Sequence, residues 1–308
     1  MCCCGATGAA SERAFAFHLL IGPSMPSGAV CPKAVLEPMM CDVYTYLSRD
    51  PFTSISLLKY LQSYPQDTES FHVRGEEGEA VLVLLQVAAS PYDRETYPGA
   101  AFVCFIASDG PNLTRRLLDH VPCGVSVVFK LAAEADRAVV AEGFDLRRTT
   151  SFLSFTGSFG APSLQTDPRL PMTDDPLPQA WSLLEARGYQ RDWLMPLLAS
   201  GHAFVVEDSH GDDVASVCFA FQNHGHIWEV GGLSTRPDRR RQGHAARVVR
   251  SAIAELARRG VQGRYVVEET NRPSLQLAQA IGLQHVLTLT HFLASAPCAG
   301  EPAVGTIS

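Results

Sequence analysis

Apolar residues along the chain come in short runs that alternate with amphipathic stretches. Strand-like Ala100–Ser108 (AAFVCFIAS) meets a polar turn at Asp109-Gly110-Pro111-Asn112, and a helical pattern runs from there through His120. An apolar strand Val125–Leu131 follows, then a helix Glu134–Glu142, a break at Gly143-Phe144 and a strand Arg148–Phe155. The same order recurs further on. Strand Ile227–Thr235 leads through an Arg-rich turn to helix Ala245–Arg259, strand Tyr265–Glu268, helix Ser274–Ile281, a break at Gly282-Leu283 and strand Val286–Leu293. Laying Gly143 on Gly282 sets TTSFLSF against TLTHFLA, the pattern expected of diverged copies. Strands alternating with helices of this length predict an α/β layer structure, with a mixed, partly parallel sheet flanked by helices in each half.

Between the halves, Gly157–Pro178 is rich in Pro, Ser, Thr and Asp and reads as a linker, since it continues neither a helix nor a central strand. The expected division is a leader over 1–38, a first domain over 39–157, a linker over 158–178, a second domain over 179–296 and a tail over 297–308.

Composition narrows the class. With 308 residues, 46% hydrophobic and 19% charged, the chain can bury two cores and is not a disordered polymer. A formal net charge of −7 argues against a nucleic-acid partner. Among the nine cysteines, Cys104 and Cys218 sit inside apolar runs as small hydrophobes, and no pair of CxxC motifs stands at zinc spacing. That usage fits a reducing, cytoplasmic setting. No metal is expected: the His224-Gly-His226 run has no third ligand. Ala14–Gly22 has the look of a secretory core, but it is short and interrupted by His18, and no apolar run reaches membrane-spanning length.

The chemistry concentrates between Trp228 and Val249. An extended segment ends at Thr235, Pro237 stops it, and a polar turn containing Gly243 precedes a helix with Val248, Val249, Ala252, Ile253 and Leu256 on one face and Gly260 closing its end. A strand, a glycine turn and a helix N-terminus present free N–H groups and a positive dipole end to an anion. Gly231-Gly232 inside the strand suggests a bulge.

Arg240-x-x-Gly243-x-Ala245, with its preceding Leu233-x-Thr235-x-Pro237, resembles the Gln/Arg-x-x-Gly-x-Gly/Ala signature of the GNAT acyltransferases. Asn271-x-x-Ser274-x-x-Leu277 before Gly282-Leu283 is similar to that family's downstream element, and Arg259–Tyr265 (RGVQGRY) resembles its glycine N-acyltransferase-like branch. The resemblance implies a cradle for the pyrophosphate of acetyl-CoA or another acyl-CoA at Leu233, Ser234, Thr235, Arg240, Arg241, Gln242, Gly243, His244 and Ala245, with Asn271 and Ser274 beside the cofactor arm. It implies that Glu229 is the general base, against the plainer reading of a strand Glu paired with an Arg, and that the Leu233 amide polarises the thioester carbonyl.

One departure stands out. The family's Tyr, general acid to the leaving thiolate, is replaced by Ala278, which leaves solvent, Ser274, Tyr265 or His291 for that role. The first half has Asp109 in its shorter turn and Ala132 where the second has Asn271, and is expected to be a degenerate copy that walls the acceptor cleft. The resulting expectation is an N-acetyltransferase acting on a small-molecule primary amine, as monomer or homodimer, with neither nucleic acid nor membrane as partner. The alternative is a module that binds acyl-CoA without chemistry.

Overall fold

The computed structural model describes residues 38–157 and 166–295. The expected leader (save Pro38) and tail lie outside them, as does part of the expected linker. The first half contains α1 (Pro38–Leu47), α2 (Ile55–Ser63), β1 (Thr68–Gly75), β2 (Gly78–Gln86), α3 (Pro91–Thr96), β3 (Phe102–Ser108), α4 (Pro111–Leu118), β4 (Ser126–Leu131), α5 (Glu134–Gly143) and β5 (Asp145–Thr156). The second contains β6 (Met172–Thr173), α6 (Pro178–Glu185), α7 (Arg191–Ala199), β7 (Ala203–His210), β8 (Asp213–His224), β9 (Ile227–Thr235), α8 (His244–Arg258), β10 (Gln262–Glu268), α9 (Arg272–Ala280) and β11 (Gln284–Ser295).

Mixed sheet and flanking helices are as the pattern predicts, but the two sheets are fused. All strands form one sheet in the order β1-β2-β3-β4-β11-β5-β10-β9-β8-β7-β6. Each half's last strand crosses into the other: β11 pairs with β4, and β5 pairs with β10, all antiparallel. β5 and β11 also pair with each other from Gln284–Thr156 to Ser295–Asp145. Exchanging β1–β5 with β7–β11 leaves the order and every strand direction unchanged, which is the topology a duplication produces.

Period-two alternation sorts side chains between two layers. Val81, Val83 and Leu85 of β2 face the core beneath α1–α3, while Leu82 and Leu84 face the one beneath α4 and α5. In the second half, Val217, Phe219 and Phe221 of β8 meet α6 and α7, and Cys218 and Ala220 meet α8 and α9. Val266 of β10 and Leu293 of β11 pack into the first-half core. Of the stretch expected as linker, Leu170 is 3% exposed and Met172–Thr173 pair with β7, so these residues belong to the second half's packing.

Candidate functional site

Strand β9 is where the sheet opens. It pairs in parallel with β10 only from Ile227–Gln262 to Val230–Tyr265, although β9 continues to Thr235 and β10 to Glu268. Past Tyr265, β10 keeps its pairing with β5, so β9 is the strand that departs. The departure is set by a bulge: Val217 faces Ser234 and Phe219 faces Gly231, leaving Gly232 and Leu233 opposite the single residue Cys218. Gly232 takes φ +64°, and a Cβ there would lie 2.3 Å from the Phe219 ring, so only glycine fits. The paired glycines predicted this bulge. The Gly232 N–H is donated to the Tyr189 hydroxyl at 3.0 Å. Tyr189, on the loop between α6 and α7, is half-buried and packs edge-on against Phe219, and its phenol is pushed up to about 12 by desolvation. No motif in the sequence marked it.

The turn after β9 has the shape expected of an anion cradle. Gly243 is the N-cap of α8 with φ +86°; no side chain caps the helix, and the space at its Cβ position is open. Helix α9 is capped by its own Asn271, whose Oδ1 accepts from the Ser274 N–H at 3.2 Å. The four turn arginines divide by task. Arg236 and Arg239 pair with Asp213 and Asp238 and so brace the turn against the β7–β8 hairpin. Arg240 and Arg241 have no carboxylate partner among the described residues; Arg240 Nε donates to the Thr235 carbonyl at 3.4 Å, and exposed Arg241 takes the left-handed φ of 60°. Gln242 reaches back to the Asp238 carbonyl at 3.1 Å, and His244 Nδ1 lies 2.7 Å from Asp208. Free N–H groups, a helix dipole and two uncommitted guanidiniums suit a pyrophosphate.

The first-half counterpart cannot serve. Its turn is two residues long, Pro111 removes one N–H from α4, and the Glu77 carboxylate accepts from the Asn112 N–H at 3.2 Å, standing where a phosphate would. A Cβ on Gly110 would also meet the Glu77 side chain.

Glu229 is 5% exposed and not in apolar surroundings alone. Its Oε2 accepts from Arg264 Nη1 at 2.9 Å and from Asn223 Nδ2 at 2.9 Å, the Arg-paired arrangement of the plainer reading. Arg264 Nε is held at 3.1 Å by Ser154, which comes from the exchanged strand β5 of the first half. Lys59 of α2, 4% exposed and brought down to about 8 by burial against the opposing pull of Glu229, completes the group. The first half therefore does wall this carboxylate. The signal available in the sequence was Arg264 itself, a charge inside the apolar run of β10.

Among the acid candidates, the structure removes His291. It is 2% exposed in β11, bonded to the Tyr97 hydroxyl at 2.8 Å within the first-half core. Tyr265 stands at the last β9–β10 pair, with its phenol engaged by Ser274 and pushed up to about 12 by burial. Ala278 is fully buried, packed with Val248, Val249 and Ile253 of α8.

With this geometry established, likeness to known proteins can be weighed. Residues 170–283, within the second half, match the model of the Acetyltransferase (GNAT) family. No curated protein sequence matches the chain. A solved GCN5-related N-acetyltransferase from Sphaerobacter thermophilus superposes with a TM-score of 0.52 at 13% identity, covering 79% of this chain and 86% of that one. That coverage exceeds what the second half contains, so the shared fold extends into the first. A GCN5-related N-acetyltransferase-like protein from Streptococcus suis gives 0.44 at 16% identity, covering 83% and 98%. A tandem GNAT protein of the clavulanic acid biosynthesis pathway gives 0.46 at 9% identity, covering 80% and 89%. Among the described residues, no helix is long and apolar enough to cross a membrane.

Proposed function

We propose that the protein is an acyl-CoA-dependent N-acyltransferase, transferring acetyl to a small-molecule primary amine, with the second half catalytic and the first degenerate. The observation that carries this reading is the gap between β9 and β10, which ends at an uncapped, Arg-flanked helix N-terminus. The N–H groups of Gly243, His244 and Ala245, with Arg240, Arg241 and Gln242, would hold the pyrophosphate. The unpaired edge of Leu233, Ser234 and Thr235 would pair with the pantetheine arm, and Asn271 and Ser274 would lie beside it. Bound there, acyl-CoA supplies the thioester; the protein's own groups place it, bring the amine and move protons.

In this reading Glu229 takes the amine proton, directly or through water, and the Leu233 amide donates to the developing oxyanion. Protonated Tyr265, steadied by Ser274, is positioned to return a proton to sulfur. Setting and branch are part of the proposal: a cytoplasmic enzyme, nearest the glycine N-acyltransferase-like group by its Arg259–Tyr265 stretch.

The ion pair of Glu229 with buried Arg264 and the replacement of the family tyrosine by Ala278 favour a second reading, a module that holds acyl-CoA without turning it over. Thiol release from acetyl-CoA across a panel of amines separates the two. Under the catalytic reading, Glu229→Gln lowers kcat/KM by about 10²–10⁴, with acetyl-CoA affinity unchanged. Near-UV circular dichroism confirms folding of the variant. Binding by calorimetry with no thiol released on any amine establishes the binding module instead.

A further inference from the structure

At the seam of the two halves the described residues line a half-open cavity of 380 Å³. Tyr92 and Tyr97, from α3 and its end, form one wall; Arg147, Thr150 and Phe152 of β5 and Glu268 of β10 form the other. Sites for small molecules begin at about this size, roughly 300–1,000 Å³.

The charges inside it are unusual in what they do not do. Half-buried Glu268 accepts from the Thr150 hydroxyl at 3.2 Å, and among the described residues no cation pairs with it. Arg147 has no carboxylate partner among them either, whereas the residues that follow these two in sequence, Arg148 and Glu269, pair with each other. Two opposite charges thus line one cavity without neutralising one another. Glu268 acts on both tyrosines, its charge adding to the desolvation that raises the Tyr92 and Tyr97 phenols. A carboxylate holding one hydroxyl donor keeps most of its acceptor capacity free.

A backbone irregularity brings these groups together. The pairing of β11 with β5 steps from His291–Thr150 to Phe292–Arg148, leaving Thr149 as an extra, bulged residue. Regular alternation would send Arg147 to the face opposite Thr150 and Phe152; one inserted residue turns it to the same side. The bulge is anchored, since the Thr149 hydroxyl reaches the His291 carbonyl at 3.1 Å and the Tyr97 hydroxyl at 3.2 Å.

We propose that this cavity binds a small zwitterion of amino-acid size, with its ammonium on Glu268, its carboxylate on Arg147 and an apolar or aromatic body against Tyr92, Tyr97 and Phe152. The guanidinium fork matches a carboxylate, and ring faces beside a carboxylate favour an ammonium. The site stands independently of acyl transfer, because none of its six residues belongs to the cofactor cradle or to the Glu229 cluster.

Calorimetry on the full chain tests it, with glycine, L-leucine and L-phenylalanine as probes and phenethylamine and 3-phenylpropionate as singly charged analogues of the last. At least one amino acid is expected to bind, and L-phenylalanine at least about tenfold more tightly than either analogue. Glu268→Gln, which can keep the Thr150 contact, should weaken amino-acid binding about tenfold and leave 3-phenylpropionate unaffected; Arg147→Met should do the reverse, sparing phenethylamine. Gly243→Asp should leave all of these affinities unchanged, separating this site from the cofactor turn. The proposal is overturned if no amino acid binds at about 10 mM, if the analogues match L-phenylalanine, or if both variants retain full affinity.

Discussion

His291 shows how much a single position depends on what surrounds it. Its ring is enclosed by Tyr92, Tyr97 and Phe152, with the Lys130 ammonium near and Lys130 itself paired to Asp93 at 2.7 Å. Burial first, and the Lys130 charge second, hold its pKa well below the ordinary imidazole value. The folded protein therefore refuses a proton that the unfolded chain accepts below about 6.5. Stability is then undiminished above that pH and is lost as pH falls through it, by up to about 1.4 kcal/mol per unit for this one group. His291→Asn, which can still meet the Tyr97 hydroxyl, should lower the melting temperature at pH 8. It should also flatten the decline between pH 6.5 and 5 relative to the parent protein. Parallel melting curves for the two proteins across that window would show that His291 does not carry the dependence. Sequence offered His291, beside Ser274, Tyr265 and solvent, as an acid for thiolate protonation in place of the tyrosine replaced by Ala278. Nothing in a string of residues says that its strand is inserted into the other half.

At the scale of elements the sequence was legible wherever the cause was local. Helix α8 follows directly from its apolar stripe between Gly243 and Gly260; Gly260 takes the left-handed conformation favoured just past a helix C-terminus, and Gly243 takes it at the N-cap, where a non-glycine residue would be strained. Strand β9 spans the predicted Ile227–Thr235, and its Gly231-Gly232 produces the expected bulge. Where partners are distant in sequence, the reading failed or fell short. The Glu229–Arg264 pair spans 35 positions, the Tyr189 contact with Gly232 spans 43, and the Glu77 carboxylate that plugs the first-half helix is supplied by a different turn. The open turn before α8 yields a sharp expectation. A Cβ at Gly243 would meet no atom within 4 Å, so the packing cost of a side chain there is small apart from the strain of φ +86°. The carboxylate of an aspartate, however, would face the phosphates. Gly243→Asp should lose acetyl-CoA binding by at least about a hundredfold and lower stability by about 1 kcal/mol. Retained affinity in calorimetry would place the cofactor elsewhere.

The exchange of final strands makes the whole molecule one folding unit despite its duplicated plan. Were each half self-contained, β5 would lie against β4 and β11 against β10; instead β11 separates β4 from β5, and β5 separates β11 from β10. Removing the second half would leave β4 with an unpaired edge and take away Val266 and Leu293, which complete the first-half core. Removing the first half would strip β10 of its β5 partner, Arg264 of Ser154 and Glu229 of its Lys59 neighbour. Exposed apolar strand edges and a half-dismantled buried ion pair are each strongly unfavourable. The full chain should therefore unfold in a single transition. Fragments 38–157 and 166–295 expressed separately should lack the near-ultraviolet dichroism of fixed aromatic side chains. Mixed from denaturant in equal amounts, they should recover it together with acetyl-CoA binding. A second-half fragment that folds alone and binds the cofactor with parental affinity would show that the shared sheet is dispensable, and with it the role of the first half in shaping the site.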